Sequence, residues 1–303
     1  MLHLTLNHLT LPKTKEDLLQ AQRLFHGRGH AYEGLHHVTI DWLPPVILIT
    51  LFAPESTESI EKLVTKLIVL FPSCKSIQLQ HRYQQQGPID IIYGEEIKRL
   101  EVQENKLIFQ MELGKSRNTG LFLDMKNGRE WVQKNSADKH VLNLFAYTCG
   151  FSIAAIAGKA KSVINIDTSS PALSIGRTNH HLNQQSLKRV KFEKLNIFKS
   201  FGRIKKHGPY DLLICDPPTF QKGSVDIIKD YPKIIRRLNE FMAPHSTLLL
   251  CLNAPDLNRD FLFNSIKESA PNYHFSHEIT APKVFLEAKM KGLKILVFRA
   301  SAS

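Results

Sequence analysis

The residues best placed to do chemistry lie at the ends of apolar, β-branched runs. Asn143-Leu144-Phe145-Ala146-Tyr147-Thr148-Cys149-Gly150-Phe151 passes from a run beginning at Val141 into a helical stretch, with Gly150 opening the helix and allowing close backbone approach. Asn165-Ile166-Asp167-Thr168-Ser169 ends the next run on an acid. A carboxylate at such a strand tip can accept hydrogen bonds from both hydroxyls of a ribose. Leu195-Asn196-Ile197-Phe198 follows, with an amide oxygen that could meet an adenine amino group and two apolar side chains that could cover the ring. Asp216-Pro217-Pro218-Thr219-Phe220 then ends the run Leu212–Cys215. Consecutive prolines stiffen the backbone and leave its carbonyls pointing outward. Phe220 can stack on a flat base, a contact worth about 1–3 kcal/mol in nucleic-acid sites.

A nicotinamide dinucleotide needs a glycine-rich turn so that its pyrophosphate can reach backbone N–H groups. Phe145 to Gly150 offers one glycine between bulky side chains. That crowds a pyrophosphate and tolerates the uncharged methionine arm of S-adenosylmethionine, which is therefore the expected cofactor. The cysteines discriminate between routes to a methylated base. Carbon 5 of a pyrimidine needs a thiolate to add to the ring, whereas a ring nitrogen attacks a methyl group with its own lone pair. Cys251, two residues before Asn253, is the one cysteine on the face of a strand tip that could serve. Cys149 sits in the cofactor turn, and Cys215 points away from Asp216. Nitrogen methylation is favoured, with Cys251-dependent carbon methylation as the alternative. A silent RNA-binding or assembly protein on the same fold is a third reading.

The elements that position these tips follow from the spacing. From about Asn118 onward, strands are expected at Val141–Phe145, Ser162–Ile166, Val190–Leu195, Asp211–Cys215, Thr247–Leu252, His274–Glu278 and Leu293–Phe298. Helices fall between them at Phe151–Gly158, Pro171–Asn183, Lys229–Met242 and Asn258–Ser269. Strands separated by helices give a doubly wound, mostly parallel sheet with ligands at its carboxyl edge. Earlier in the chain, helices are expected at Lys15–Phe25 and Ser56–Phe71, strands at Val46–Phe52 and Ser76–Gln80, and a hairpin of Arg99–Val102 with Lys106–Met111 turning at Glu104-Asn105. The division is a small α+β domain over 1–112 and a catalytic α/β domain over 113–303.

The chain carries 40 Lys and Arg against 28 Asp and Glu, a net +12 that favours a polyanionic partner. An apolar share of 43% argues against wholesale disorder. The longest apolar run, Trp42 to Ala53, is broken by Pro44-Pro45 and too short to span a bilayer. With no basic-then-apolar leader and four unpatterned cysteines, the expectation is a cytoplasmic protein without a membrane partner. His26 and His30 would form a metal pair only on a helix, which Gly27 and Gly29 disfavour, so no metal is expected.

Taken together, Thr119-Gly120-Leu121-Phe122-Leu123-Asp124 with Arg129, Asn143 to Phe151, Asp167-Thr168-Ser169 and Asp216 to Phe220 resemble the S-adenosylmethionine-dependent large-subunit rRNA methyltransferases. That family has cytosine-C5 and guanine-N7 branches, and the likeness runs from about Arg23 to Phe298. It implies a Rossmann-like class I catalytic domain with a seven-strand sheet, preceded by a small α+β RNA-docking domain. By that likeness Thr119, Leu121 and Asp124 would lie in a segment closing over the cofactor. Asn143, Phe145 to Thr148, Gly150, Asp167, Thr168, Asn196, Ile197 and Asp216 would line its pocket. Asp216, Pro217, Pro218, Phe220 and Asn253 would form the chemical tip. The Asp-Pro-Pro-Thr-Phe form looks most like the guanine-N7 branch, and Asn253 stands where the cytosine branch carries its cysteine. Cytosine-C5 members often begin with a PUA domain, and the roughly twenty residues before Arg23 are too few for one. Where the family often has acids, this chain has Arg28 and His30. RNA, ribosomal in particular, would then be met by Arg23, Arg28, Arg82, Arg129 and Lys222, in a monomer or homodimer.

Overall fold

The computed structural model describes residues 2–116, 118–218, 220–221, 225–288 and 292–301. The chain splits into two compact units, Met1–Asp124 with Pro282–Met290, and Met125–Ala281 with Lys291–Ser303. The division thus falls after Asp124 rather than after 112, and a late segment returns to the first unit.

In the first unit, α1 (Lys15–Leu19) is followed by strands β1 (Gln22–His26), β2 (Val38–Leu43) and β3 (Val46–Leu51), helix α2 (Thr57–Leu70), and strands β4 (Ser76–His81), β5 (Ile89–Gly94), β6 (Arg99–Glu104) and β7 (Leu107–Glu112). Five of the strands make one sheet in the order β1-β2-β3-β4-β5, and β6 pairs with β7 separately. Only β3 and β4 are parallel, and α2 is the connection between them. Alternation divides the sheet into two faces. Ile40, Trp42, Ile47, Ile49, Ile77 and Leu79 form a core with Leu63 and Leu67 of α2. The opposite face carries Thr39, Asp41, Thr50 and Gln80, all buried although polar.

The helix expected at Lys15–Phe25 is a short helix and then a strand. A Thr14–Asp17 capping box starts α1, the chain is extended by Gln20, and Gln22 onward pairs with β2. A register shift between Arg23 and Phe25 lets the adjacent Leu24 and Phe25 both turn inward. That placed two consecutive apolar residues where helical spacing would put them. The β6–β7 hairpin turns at Asn105 and Lys106 rather than Glu104-Asn105. Both have positive φ, 50° and 65°, the combination that matches strand twist in a two-residue turn.

The second unit contains α3 (Lys126–Asn135), β8 (His140–Leu144), α4 (Gly150–Ala157), β9 (Ser162–Asp167), α5 (Ser170–Leu182), β10 (Val190–Lys194), α6 (Phe201–His207) and β11 (Tyr210–Cys215). Two-residue strands β12 (Phe220–Gln221) and β13 (Val225–Asp226) come next. They are followed by α7 (Ile227–Ile235), α8 (Leu238–Phe241), β14 (Met242–Leu252), α9 (Asp260–Ser269), β15 (Tyr273–Ile279) and β16 (Lys294–Ala300). The seven-strand sheet runs β10-β9-β8-β11-β14-β16-β15. Its first five members are parallel, and β16 is antiparallel to both neighbours. The chain order reverses between β8 and β11, which sets the ligand crevice at their carboxyl ends. The helix expected at Lys229–Met242 is two helices. At the end of α7 the Arg237 N–H bonds the Ile234 carbonyl, three residues back, and Met242 already belongs to β14. Among the described residues no helix is long and apolar enough to cross a membrane.

Candidate active site

The turn between β8 and α4 is built from strained backbone. Phe145, Tyr147 and Cys149 have φ of 57°, 47° and 63°. The left-handed positions therefore fall on three bulky residues, while Gly150 sits in the first turn of α4. Such residues cost about 1–3 kcal/mol each and persist only where the surroundings over-determine them. Here they do. The Tyr147 N–H donates to Asp167 Oδ2 at 2.8 Å, and Ala146 N–H to the Ile166 carbonyl at 3.0 Å. Cys149 N–H donates to the Ala146 carbonyl at 2.7 Å, and Asn179 Nδ2 of α5 to the Thr148 carbonyl at 3.1 Å. α5 comes close because it presents Gly176, where a Cβ would lie 2.5 Å from Cys149 Sγ.

Asp167 ends β9 half-buried. Besides Tyr147 it accepts from the Ser169 N–H through Oδ1, at 2.7 Å. Each carboxylate oxygen thus has one lone pair committed to the turn and one remaining, a pair of acceptors matching two neighbouring ribose hydroxyl donors. The residues therefore fit a nucleoside cofactor.

Two of the expected cofactor residues have other duties. Asn143 is buried, and its Nδ2 donates to Asn165 Oδ1 at 2.9 Å. The chain of contacts continues from Asn165 Nδ2 to Ser152 Oγ, from Ser152 to His180 Nε2, and from His180 Nδ1 to Gln185 Oε1. Burial pulls His180 down to about 4, so the imidazole is neutral within this network. Asn196 is the cap of a short 3₁₀ turn, Ile197–Lys199, and its Oδ1 accepts from the N–H groups of Phe198 and Lys199 at 3.0 and 3.3 Å. The acceptor expected to meet an adenine amino group is already occupied, and the Asn196 NH2 is what it can still offer. Ile197 is buried, and Phe198 lies 6.4 Å from Phe145, centroid to centroid. Thr168 is exposed, while Ala146 and Thr148 are buried.

At the chemical tip, Asp216 follows β11 half-buried, Pro217 is buried and Pro218 exposed. Thr219 and Lys222 lie outside the described residues, as does the side chain of Phe220, whose backbone pairs with Asp226. Asn253 follows β14 and is exposed. Tyr231 of α7 is the residue that sequence reasoning missed. Its hydroxyl lies 3.1 Å from the Cys215 carbonyl and 3.0 Å from the Cys251 carbonyl, sharing one proton between the ends of β11 and β14. Burial, first of all, holds its phenol well above the usual tyrosine range. The available signal was a lone hydroxyl on the apolar stripe Ile227, Tyr231, Ile234, Ile235, since a buried phenol needs a partner. All four cysteines are buried, and Cys251 has no exposed surface. Burial raises the Cys149 and Cys215 thiols far above their ordinary range.

The remaining expected residues are in the first unit, save Arg129, which is on α3 and only 4% exposed, leaving little surface for a phosphate. Arg23, Arg28, Arg82, Thr119, Leu121 and Asp124 line one cavity of about 240 Å³ over the polar sheet face. Arg23 is held by the Asp41 carboxylate through Nε and Nη2, and its Nη1 is 2.6 Å from His26 Nδ1. Burial, then the charges of Arg23 and Arg28, pulls His26 down to about 3. Arg28 and Arg82 both lie over the Phe52 ring, at 4.4 and 5.8 Å from its centroid.

A parallel sheet with one antiparallel insertion, an acid ending its second strand and a braced turn after its first define a class I methyltransferase. The chain belongs to the S-adenosylmethionine-dependent methyltransferase family, whose profile matches residues 22–299, and S-adenosylmethionine is the family's cofactor. It is 29% identical over 249 residues to "Ribosomal RNA large subunit methyltransferase I" of Vibrio vulnificus, an alignment covering 78% of this chain and 63% of that protein. The chain therefore spans less than two thirds of the length of that curated relative. Among solved structures, a SAM-dependent methyltransferase from Streptococcus mutans superposes with a TM-score of 0.83 at 23% identity, covering 93% of this chain and 76% of the other. A methyltransferase complexed with SAH matches equally, with a TM-score of 0.83.

Proposed function

We propose that this protein methylates a base of structured RNA, in large-subunit ribosomal RNA, at a ring nitrogen of guanine. RNA as substrate is supported by the curated relatives named as large-subunit rRNA methyltransferases and by the net charge of +12. The observation that carries the nitrogen route is the complete burial of Cys251, together with an exposed Asn253 at the strand tip. A thiolate nucleophile must reach the face of the base, and this thiol is enclosed in the sheet.

S-adenosylmethionine supplies a methyl group made electrophilic by its sulfonium. The protein's part is to hold and orient. Asp167 would hold the ribose through its remaining lone pairs, with Ile197 and Phe198 against the adenine. The stiff Asp216-Pro217-Pro218 tip would present the base, with the Asp216 carboxylate accepting from its N–H edge. The Asp216 carboxylate would stabilise the positive charge that the base gains on methylation. Bringing the reacting atoms into line is the main catalytic effect. A base within a helix must first be flipped out of the stack.

The test is mass spectrometry of nucleosides from rRNA and tRNA of cells with and without the gene, complemented by the native protein or by Cys251→Ala. Loss of one N-methylguanine, restored by both forms, is expected. A lost 5-methylcytosine restored only by the native protein would establish the Cys251 route instead. Unchanged RNA would point to a silent binding protein.

A further inference from the structure

We infer that the cavity on the polar face of the first unit's sheet is a recognition site for one unpaired RNA nucleotide, taking its base inside and its phosphate at the mouth. The inference rests on the reading of RNA as substrate and adds where, and in what state, the RNA is held.

Three observations carry it. Gln80 lines the cavity, is only 2% exposed, and its Nε2 is the single buried side-chain nitrogen or oxygen without a hydrogen-bond partner among the described residues. An unpaired buried amide costs about 1–3 kcal/mol, so a group that completes it recovers that cost on binding. Side-chain amides are suited to reading the polar edge of a base. The mouth is cationic. Three arginines meet two carboxylates, Asp41 and Asp124, and Asp41 is committed to Arg23. Among the described residues no carboxylate pairs with Arg28, and the guanidinium of Arg82 shares the Phe52 ring with it. The exposed Arg28 guanidinium, with no carboxylate against it among the described residues, offers an anion a partner at the rim. Finally, Phe122 lines the same cavity and is 44% exposed, which supplies an aromatic surface for a base to stack on.

Size limits the occupant. A volume of about 240 Å³ lies below the roughly 300–1,000 Å³ of pockets that enclose drug-sized ligands, so a single base fits and a stacked run does not. Bases in an intact helix present neither a free face for Phe122 nor a free edge for Gln80, which restricts the site to unpaired RNA. An acidic peptide would satisfy the arginines and leave the aromatic wall and buried amide without purpose.

The test is fluorescence anisotropy of the full chain with short labelled homopolymer RNAs of A, C, G and U and with a duplex, at several salt concentrations. Poly-glutamate serves as a competitor, and Gln80→Leu and Arg28→Ala are compared with the native protein. Single strands are expected to bind at least tenfold tighter than duplex, with a preference among the four bases. Gln80→Leu should weaken the preferred base about tenfold and flatten the preference while its Tm stays level or rises, since the substitution removes an orphaned amide. Arg28→Ala should weaken all four alike and reduce the salt slope by about 0.7. RNA bound equally by native protein and both variants, duplex bound as tightly as single strand, or displacement by poly-glutamate at matched charge would each overturn the site while leaving RNA as substrate intact. No RNA binding at all would overturn both readings together.

Discussion

At the scale of single residues, Asp167 does two things with one carboxylate. It braces a turn that would otherwise relax from its left-handed φ angles, and it leaves a lone pair on each oxygen uncommitted to the turn. Asp167→Asn tests both. One acceptor oxygen remains and an NH2 faces either the Tyr147 or the Ser169 N–H, donor against donor. We expect S-adenosylmethionine affinity, measured by calorimetry, to fall at least tenfold, about 1.4 kcal/mol, with the circular dichroism spectrum retained. An unchanged affinity would mean that the carboxylate serves the turn alone. The place of Asp167 at the end of the second strand was legible in the sequence, where an apolar run stops on an acid. The duties of Asn143 and Asn196 were not. An amide at a strand tip looks the same whether it faces a ligand, a neighbouring strand or its own helix cap, and only the partners found at 2.9 and 3.0 Å distinguish these.

At the scale of elements, the site depends on how strand ends are fixed to helices. Tyr231 holds the carbonyls of Cys215 and Cys251 with one hydroxyl, one residue before Asp216 and two before Asn253. Tyr231→Phe keeps the ring against Phe261 and leaves both carbonyls short of a donor, at a cost of about 1–3 kcal/mol. Turnover should fall severalfold with the cofactor Kd within twofold of native. A loss of Tm with native turnover would confine Tyr231 to a structural role. Gly176 makes the same point for α5. Gly176→Ala places a methyl 2.5 Å from Cys149 Sγ, and overpacking of this kind costs about 1–3 kcal/mol. Adding Cys149→Ala should recover part of that loss, and a double-mutant cycle of denaturation midpoints reads the recovery. The catalytic sheet was legible because parallel strands buried on both faces read as unbroken apolar runs. β2 and β5 of the first unit were not, since β2 carries polar Thr39 and Asp41 on a buried face and β5 is largely exposed. The helix expected over Lys15–Phe25 failed for a related reason: a register shift imitates helical spacing.

At the scale of the whole molecule, burial of titratable groups sets a window of stability in pH. His26 in the first unit and His180 in the second are held at about 3 and about 4 against an ordinary 6.5. In both, the folded state keeps the imidazole neutral while the unfolded chain takes up a proton. The unfolded state therefore binds more protons below pH 6.5, and stability falls as the pH drops from 6.5 toward 4. Each imidazole contributes a slope of up to about 1.4 kcal/mol per pH unit. Burial pushes Asp41 up while Arg23 pulls against it, so that carboxylate works in the opposite sense from its ordinary 3.8 upward. At the alkaline end the sign reverses with the chemistry. Cys149, Cys215 and Tyr231 stay protonated when folded, and their unfolded counterparts lose protons near their ordinary 9 and 10. Stability should thus be level from about pH 6.5 to 9 and decline on both sides. Urea midpoints across pH 4 to 10 check the shape, and single variants assign it. Replacing His180 with Gln should flatten the acid limb for the second unit while that of the first persists. An acid limb untouched in both units would mean that the imidazoles titrate normally in the folded chain, and the neutral network joining Asn143, Ser152 and His180 would have to be abandoned.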